Sequence, residues 1–176
     1  MKRGIALGCL LSLALAQHAQ AASVESIGTD TALALPLIAG GITLFKRDWT
    51  GSAQLVVDTG LTVGTAYLLK KIVHEQRPDK SDFKSFPSDT AALAFAPAQF
   101  LWDRYGWQYG VPAYLAAGFV AYSRVDAKKH HVWDVAASAV ISFAYSKLIT
   151  TEYHGGFYST AGAYPDGGYV NMGWRW

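Results

Sequence analysis

Apolar residues recur at helical spacing over five stretches of the chain, roughly 29–46, 50–76, 88–105, 111–124 and 129–150. The clearest is "AQLVVDTGLTVGTAYLLKKIV", inside the second stretch. Alanine is abundant in these segments and no strand-type alternation interrupts them, so the pattern predicts an all-α helical bundle. The polar run "DKSDFKSFP" (Asp79–Pro87) has no helical period and reads as a loop. Beyond Tyr153 the pattern changes. "HGGFYSTAGAYPDGGYVNMGWRW" is rich in glycine and aromatics, and "PDGG" is a turn signal. Val170, Met172, Trp174 and Trp176 alternate with small or polar residues, which predicts a C-terminal β-hairpin lying over the bundle or its mouth.

The N-terminus is read separately from the fold. Lys2 and Arg3 precede an apolar run from Ile5 to Ala16, and "AQA" at Ala19–Ala21 offers a small-x-small cleavage site. This is the anatomy of a secretory signal peptide over 1–21, implying export to the periplasm. The single domain is then 22–154, with the hairpin tail at 155–176. Cys9 is the only cysteine and lies within the leader. The apolar segment before it is too short for a lipoprotein signal, so the mature chain is expected to carry no thiol and no disulfide.

Charge removes one class of partner. The formal net charge is +2 for the whole chain, and loss of Lys2 and Arg3 brings it to about zero. A nucleic-acid binder would carry a strong basic excess. Residues 31–45 and 105–123 are uncharged, but Pro36 with a glycine pair interrupts the first and "YGWQYGVP" opens the second. Neither reads as a continuous span of about 20 apolar residues. The expectation is a soluble domain or one with peripheral membrane contact, with Trp102, Tyr105, Trp107, Tyr109 and Tyr114 as candidates for touching lipid headgroups or simply as packing.

Three segments hold polar residues where a buried helix would not want them. The first is Lys70, six residues, then Arg77-Pro78; the second is Pro87-Ser88-Asp89-Thr90; the third is Ser123-Arg124, five residues, His130, three residues, Asp134. His130 and Asp134 are four apart, so on one helix they would share a face, and a carboxylate there can accept the imidazole's second N–H. The same spacing is common in ordinary surface pairs. Ser88 reads as a helix cap and Asp89 as a complement to the helix dipole, and a helix N-terminus is equally a place for a phosphate.

In order and spacing these segments resemble the type 2 phosphatidic acid phosphatase superfamily, which includes bacterial acid phosphatases, lipid phosphatases and vanadium haloperoxidases. Its motifs are KX6RP, PSGH and SRX5HX3D, and the first and third match in full over about 30–150. The resemblance implies that Lys70, Arg77 and Arg124 surround the phosphate oxygens, and that Ser88 and nearby backbone N–H groups, with Asp89 and Thr90, complete the cradle. It further implies that His130 attacks phosphorus to form a phosphohistidine and that Asp134 orients it. No metal or other cofactor is required, because three cations neutralise the transferring group.

The second motif departs from the family pattern. Asp89 replaces glycine, as in a variant found among undecaprenyl-pyrophosphate phosphatases of the family. Thr90 replaces the histidine that protonates the leaving oxygen. General acid catalysis contributes about 10²–10⁴-fold, so its loss should weigh most on alkoxide leaving groups. Asp89, His74, His131 and His154 are the residues that remain as alternative proton sources, with Asp89 disfavoured among cations and His131 about 100° from His130 on a helix. The expected function is a phosphatase for phosphomonoesters or pyrophosphates, lipid-linked ones such as phosphatidic acid or a prenyl pyrophosphate included. The alternatives are an inactive relative that binds a phosphorylated lipid or anion, and a vanadate-dependent peroxidase, for which the chain is short.

Overall fold

The computed structural model describes residues 23–164 and 166–175. The leader expected over 1–21, Cys9 within it, and Trp176 lie outside the described residues. Among the described residues five helices run in order: α1 (Val24–Phe45), α2 (Trp49–Ile72), α3 (Asp89–Tyr105), α4 (Trp107–Asp126) and α5 (Val132–Ile149). The strands β1 (Gly156–Tyr164) and β2 (Gly167–Arg175) follow. The all-α bundle with a C-terminal hairpin is therefore the architecture the hydrophobic pattern predicted.

Local chemistry sets the boundaries. Ser23 caps α1 by accepting the Ser26 N–H at 3.1 Å, and Asp48 caps α2 by accepting that of Gly51 at 2.9 Å. Ser88 caps α3, as the sequence suggested, through the Ala91 N–H. Gly106 sits at φ 87°, a left-handed conformation that glycine adopts freely, and this lets α4 begin one residue after α3 stops. Pro36 lies inside α1 rather than ending it, and that helix starts at Val24, five residues earlier than its apolar period suggested.

α3 is the central helix and touches the other four. Its buried face is mostly small: Ala91, Ala92, Ala94, Ala96 and Ala98, with Phe100 and Leu101 filling the space toward its end. Short side chains there allow four neighbours to close in. Because α2 and α4 run toward the end where α1, α3 and α5 start, one end of the bundle collects three helix N-termini. Their partial positive charge favours an anion at that end.

The exterior is apolar and the interior partly polar. Thr62, Ser138, Ser142 and Ser146 are buried, whereas Leu37 on α1 and Leu148 on α5 are 76% and 83% exposed. α1 and α5 are both long and apolar enough to cross a membrane by length and composition. This corrects the sequence reading, which allowed Pro36 and the glycine pair to break the first of them. The hairpin also departs from expectation. Its strands pair with each other in the register Tyr164↔Gly167 and, among the described residues, contact no helix. Val170 and Met172 stay exposed, so the apolar face of this ribbon is not covered by the bundle.

Candidate active site

Most of the predicted site residues converge at the end where the three N-termini meet. A cavity of about 350 Å³ is lined by Arg77, Asp89, Thr90, Arg124 and His130 together with Glu25, Ser81, Asp82 and Lys129. Lys70 ends α2 behind this wall and pairs with Asp89 at 2.9 Å. Ser88 does not face the cavity. Its hydroxyl accepts the Ala91 N–H and its own N–H donates to the Asp134 carbonyl at 3.3 Å, so it holds α3 in place and its backbone N–H is already used.

Every cation at the site has a carboxylate partner. Arg77 pairs with Asp82 at 2.7 Å, and Arg124 approaches Glu25 at 3.7 Å while donating to its main-chain carbonyl at 2.5 Å. Gly28 makes the second contact possible. A Cβ at that position would overlap the Ser123 side chain, so only glycine lets α1 lie this close to α4. The side chains of Glu25, Asp82 and Asp89 are 43%, 41% and 46% exposed, whereas the cations they pair with are more deeply buried.

His130 lies in the loop before α5 and is almost wholly buried. Its Nδ1 lies 2.7 Å from the carbonyl of Ser85, which accepts only if Nδ1 carries the proton. Nε2 is then the lone-pair nitrogen, and it faces Arg77 Nη1 at 3.5 Å. The expected direct bond from His130 to Asp134 is not made. The loop places His130 outside the helix, so the i, i+4 helical geometry does not apply, and Asp134 Oδ2 stands 3.5 Å from Nδ1. Asp134 acts on the loop instead. Its Oδ2 accepts the Ser85 hydroxyl at 2.5 Å and the His131 N–H at 2.8 Å. The ring is oriented by Ser85, and Ser85 is held by Asp134.

Burial lowers the His130 pKa from its ordinary 6.5 to about 4, and the nearby charges of Lys70 and Arg77 push it the same way. The ring is thus neutral at neutral pH. The unfolded chain binds a proton at His130 between about pH 6.5 and 4 that the folded chain refuses. This ring's contribution to stability therefore falls as the pH drops through that window. In protein labelled with ¹³C-histidine, one ring is expected to titrate near pH 4, and its resonance should vanish in His130→Asn. A His130 ring titrating at 6 or above would contradict the buried, cation-flanked setting.

The other histidines are elsewhere. His74 lies in a neighbouring pocket with Tyr67, Lys70, Lys71, Phe83 and Lys84. His154 follows Tyr153, whose N–H bonds the Arg104 carbonyl at the opposite end of the bundle. His131 turns away from the cavity toward Glu75 and Asp134. Glu25, Asp82 and Lys129 were not anticipated from the sequence. Glu25 and Asp82 sit on no motif and Lys129 holds an unspecified position of the third, and only the packing of α1 and of the two loops brings them in.

Residues 51–155 match the family model described as the PAP2 superfamily. A lipid A 4'-phosphatase of Helicobacter pylori (strain J99) is 31% identical over 141 residues, covering 74% of this chain and 71% of that protein. The crystal structure of Aquifex aeolicus LpxE superposes with a TM-score of 0.54 at 20% identity, over 68% of this chain and 83% of that one. At that identity the likeness bears on the fold.

Proposed function

This chain belongs to the PAP2 superfamily, and on that premise we propose that it is a phosphatase acting on a lipid-linked phosphate through a phosphohistidine on His130. The observation that carries the reading is the ring itself. Its Nδ1 proton is taken by Ser85, and its free Nε2 faces Arg77 in a cavity lined by cations. A phosphate entering there exchanges for the half-exposed carboxylates of Glu25, Asp82 and Asp89, which swing into water, and the freed Arg124, Arg77 and Lys70 take its oxygens.

His130 Nε2 then attacks phosphorus as the bond to the leaving oxygen breaks. Water attacks the phosphohistidine in a second step, releasing phosphate and restoring the neutral ring. The positive charge that develops on the imidazole is met by the Ser85 carbonyl and, beyond it, by Asp134. Asp89 makes a poor proton donor, because Lys70 holds it as a carboxylate. With Thr90 in the acid position, activated leaving groups are favoured over alkoxides.

Lipid substrates suit the exterior of the bundle. The outward apolar residues of α1, α2 and α5 and the length of α1 and α5 support a bundle seated in a membrane, after export by the expected leader, with its site on the periplasmic side. The lipid A 4'-phosphatase likeness supports the same substrate class.

The test is phosphate release by the purified protein in mixed micelles from phosphatidic acid, a prenyl pyrophosphate and a 4'-phosphorylated lipid A. Release from at least one is expected. Tight binding of these lipids with no release would favour the non-catalytic binder instead. For membrane seating, the chain is expected to stay with membranes through an alkaline carbonate wash and to come free only in detergent. Its appearance in the wash would reduce the membrane contact to a peripheral one.

A further inference from the structure

Behind the nucleophile, Glu75, His131 and Asp134 each offer one ligand atom, and the three atoms lie within 4.8 Å of one another. The His131 Nδ1 lies 3.7 Å from Glu75 Oε1 and 3.5 Å from Asp134 Oδ2. Zinc binds imidazole nitrogen and carboxylate oxygen at about 2.0–2.2 Å, so two ligands on a tetrahedral ion stand roughly 3.3–3.5 Å apart. Both separations from His131 are within a few tenths of an ångström of that edge, and Glu75 and Asp134 lie within 4.8 Å of each other, near enough for a bound ion to draw them in.

The donors are also held in place. Trp133 donates from its indole nitrogen to Glu75 Oε1 at 2.7 Å and stacks on the His131 ring, with centroids 4.4 Å apart and planes 8° from parallel. One side chain therefore fixes two of the three ligands, as outer partners do in built metal sites. Among the described residues no lysine or arginine pairs with Glu75 or Asp134. Asp134 also keeps its second oxygen, Oδ1, buried and without a hydrogen-bond partner. Glu75 and His131 are about one-quarter exposed, which leaves an entry path and room for water as a fourth ligand.

We propose that Glu75, His131 and Asp134 form a binding site for a divalent transition-metal ion of the zinc class, and that the bound ion restrains the active site. One imidazole and two carboxylates with an open position suit such an ion better than magnesium or calcium, which take oxygen ligands. The coupling runs through Asp134. An ion on its Oδ2 draws the carboxylate from the hydroxyl of Ser85, the residue whose carbonyl orients His130, and sets a positive charge beside a ring that must become positive during attack. The metal site stands on geometry, while the restraint rests on the phosphatase reading above.

The full chain in detergent, stripped with a chelator, is titrated with zinc by equilibrium dialysis and assayed for phosphate release in parallel. One zinc per chain is expected, with turnover falling over the same concentrations. Glu75→Gln and His131→Gln should keep most of the zinc-free rate and bind zinc at least tenfold more weakly, a minimum loss for a ligand given that outer partners alone cost 10–100-fold. The inhibitory concentration should rise by the same factor. The ¹³C-histidine resonance of His130 should shift with zinc in the wild type and not in the variants, so the coupling is read even in a protein that turns nothing over. Zinc binding equal in wild type and variants overturns the site. A zinc-loaded protein with unchanged turnover and an unmoved His130 resonance overturns the restraint.

Discussion

His130→Ala is expected to reduce phosphate release from an aryl phosphate to the rate of buffer alone, a loss of at least about 10⁴-fold. Removing a covalent nucleophile from a hydrolase costs that much or more. An aryl phosphate is the right probe because its leaving group departs without a proton, so the measurement isolates the nucleophile from the acid. The residue is suited to the role by its surroundings. Burial keeps the ring neutral, Ser85 fixes its tautomer, and Arg77 stands 3.5 Å from the nitrogen left free. The alanine leaves a cavity beside Ser85 but removes no charge from the fold. A circular dichroism spectrum matching wild type separates lost chemistry from lost structure. Asp134→Asn should fall between the two, since it weakens the grip on Ser85 without removing the attacking atom. Equal rates in His130→Ala and wild type would leave the site as a phosphate cradle only.

The parts of this molecule that were legible in the sequence are those set by neighbours along the chain. Ser88 announces the start of α3 because a cap needs only a hydroxyl two or three residues before free N–H groups. Lys70, Arg77, Arg124 and His130 were legible because their spacing forms motifs, and the bundle brings them to one end. What was not legible depends on approach between distant segments. Glu25 reaches Arg124 across 99 residues, and only the missing side chain of Gly28 permits it. Ser85 stands between His130 and Asp134 because the loop before α5 departs from helical geometry, and four-residue spacing carries no warning of that. The first of the two membrane-length helices was hidden by Pro36, which reads as a break but lies inside α1. The hairpin shows the converse, where period-two alternation identified the strands and said nothing of what they touch.

Thr90→His is expected to raise turnover of an alkyl phosphate by about 10²–10⁴-fold, the usual contribution of a positioned acid, while changing an aryl phosphate by less than about tenfold. Thr90 lines the cavity with His130, Arg77 and Arg124, on the second residue of α3 and therefore on its rigid first turn. An imidazole from that position looks onto the same space a leaving oxygen must cross. The two substrates make the result diagnostic. A gain confined to the alkyl ester means the proton was the missing element and the nucleophile and cradle are in working order. A gain of similar size on both would mean the new side chain improved binding or geometry rather than supplying a proton. Thr90→Ala provides the complementary control, and little change on either substrate is expected because a hydroxyl of ordinary acidity donates poorly at neutral pH. If Thr90→His changes neither substrate, this end of the bundle has been rebuilt around leaving groups that need no acid. The buried cations, each paired with a half-exposed carboxylate that a phosphate must displace, would then be the features that select the substrate.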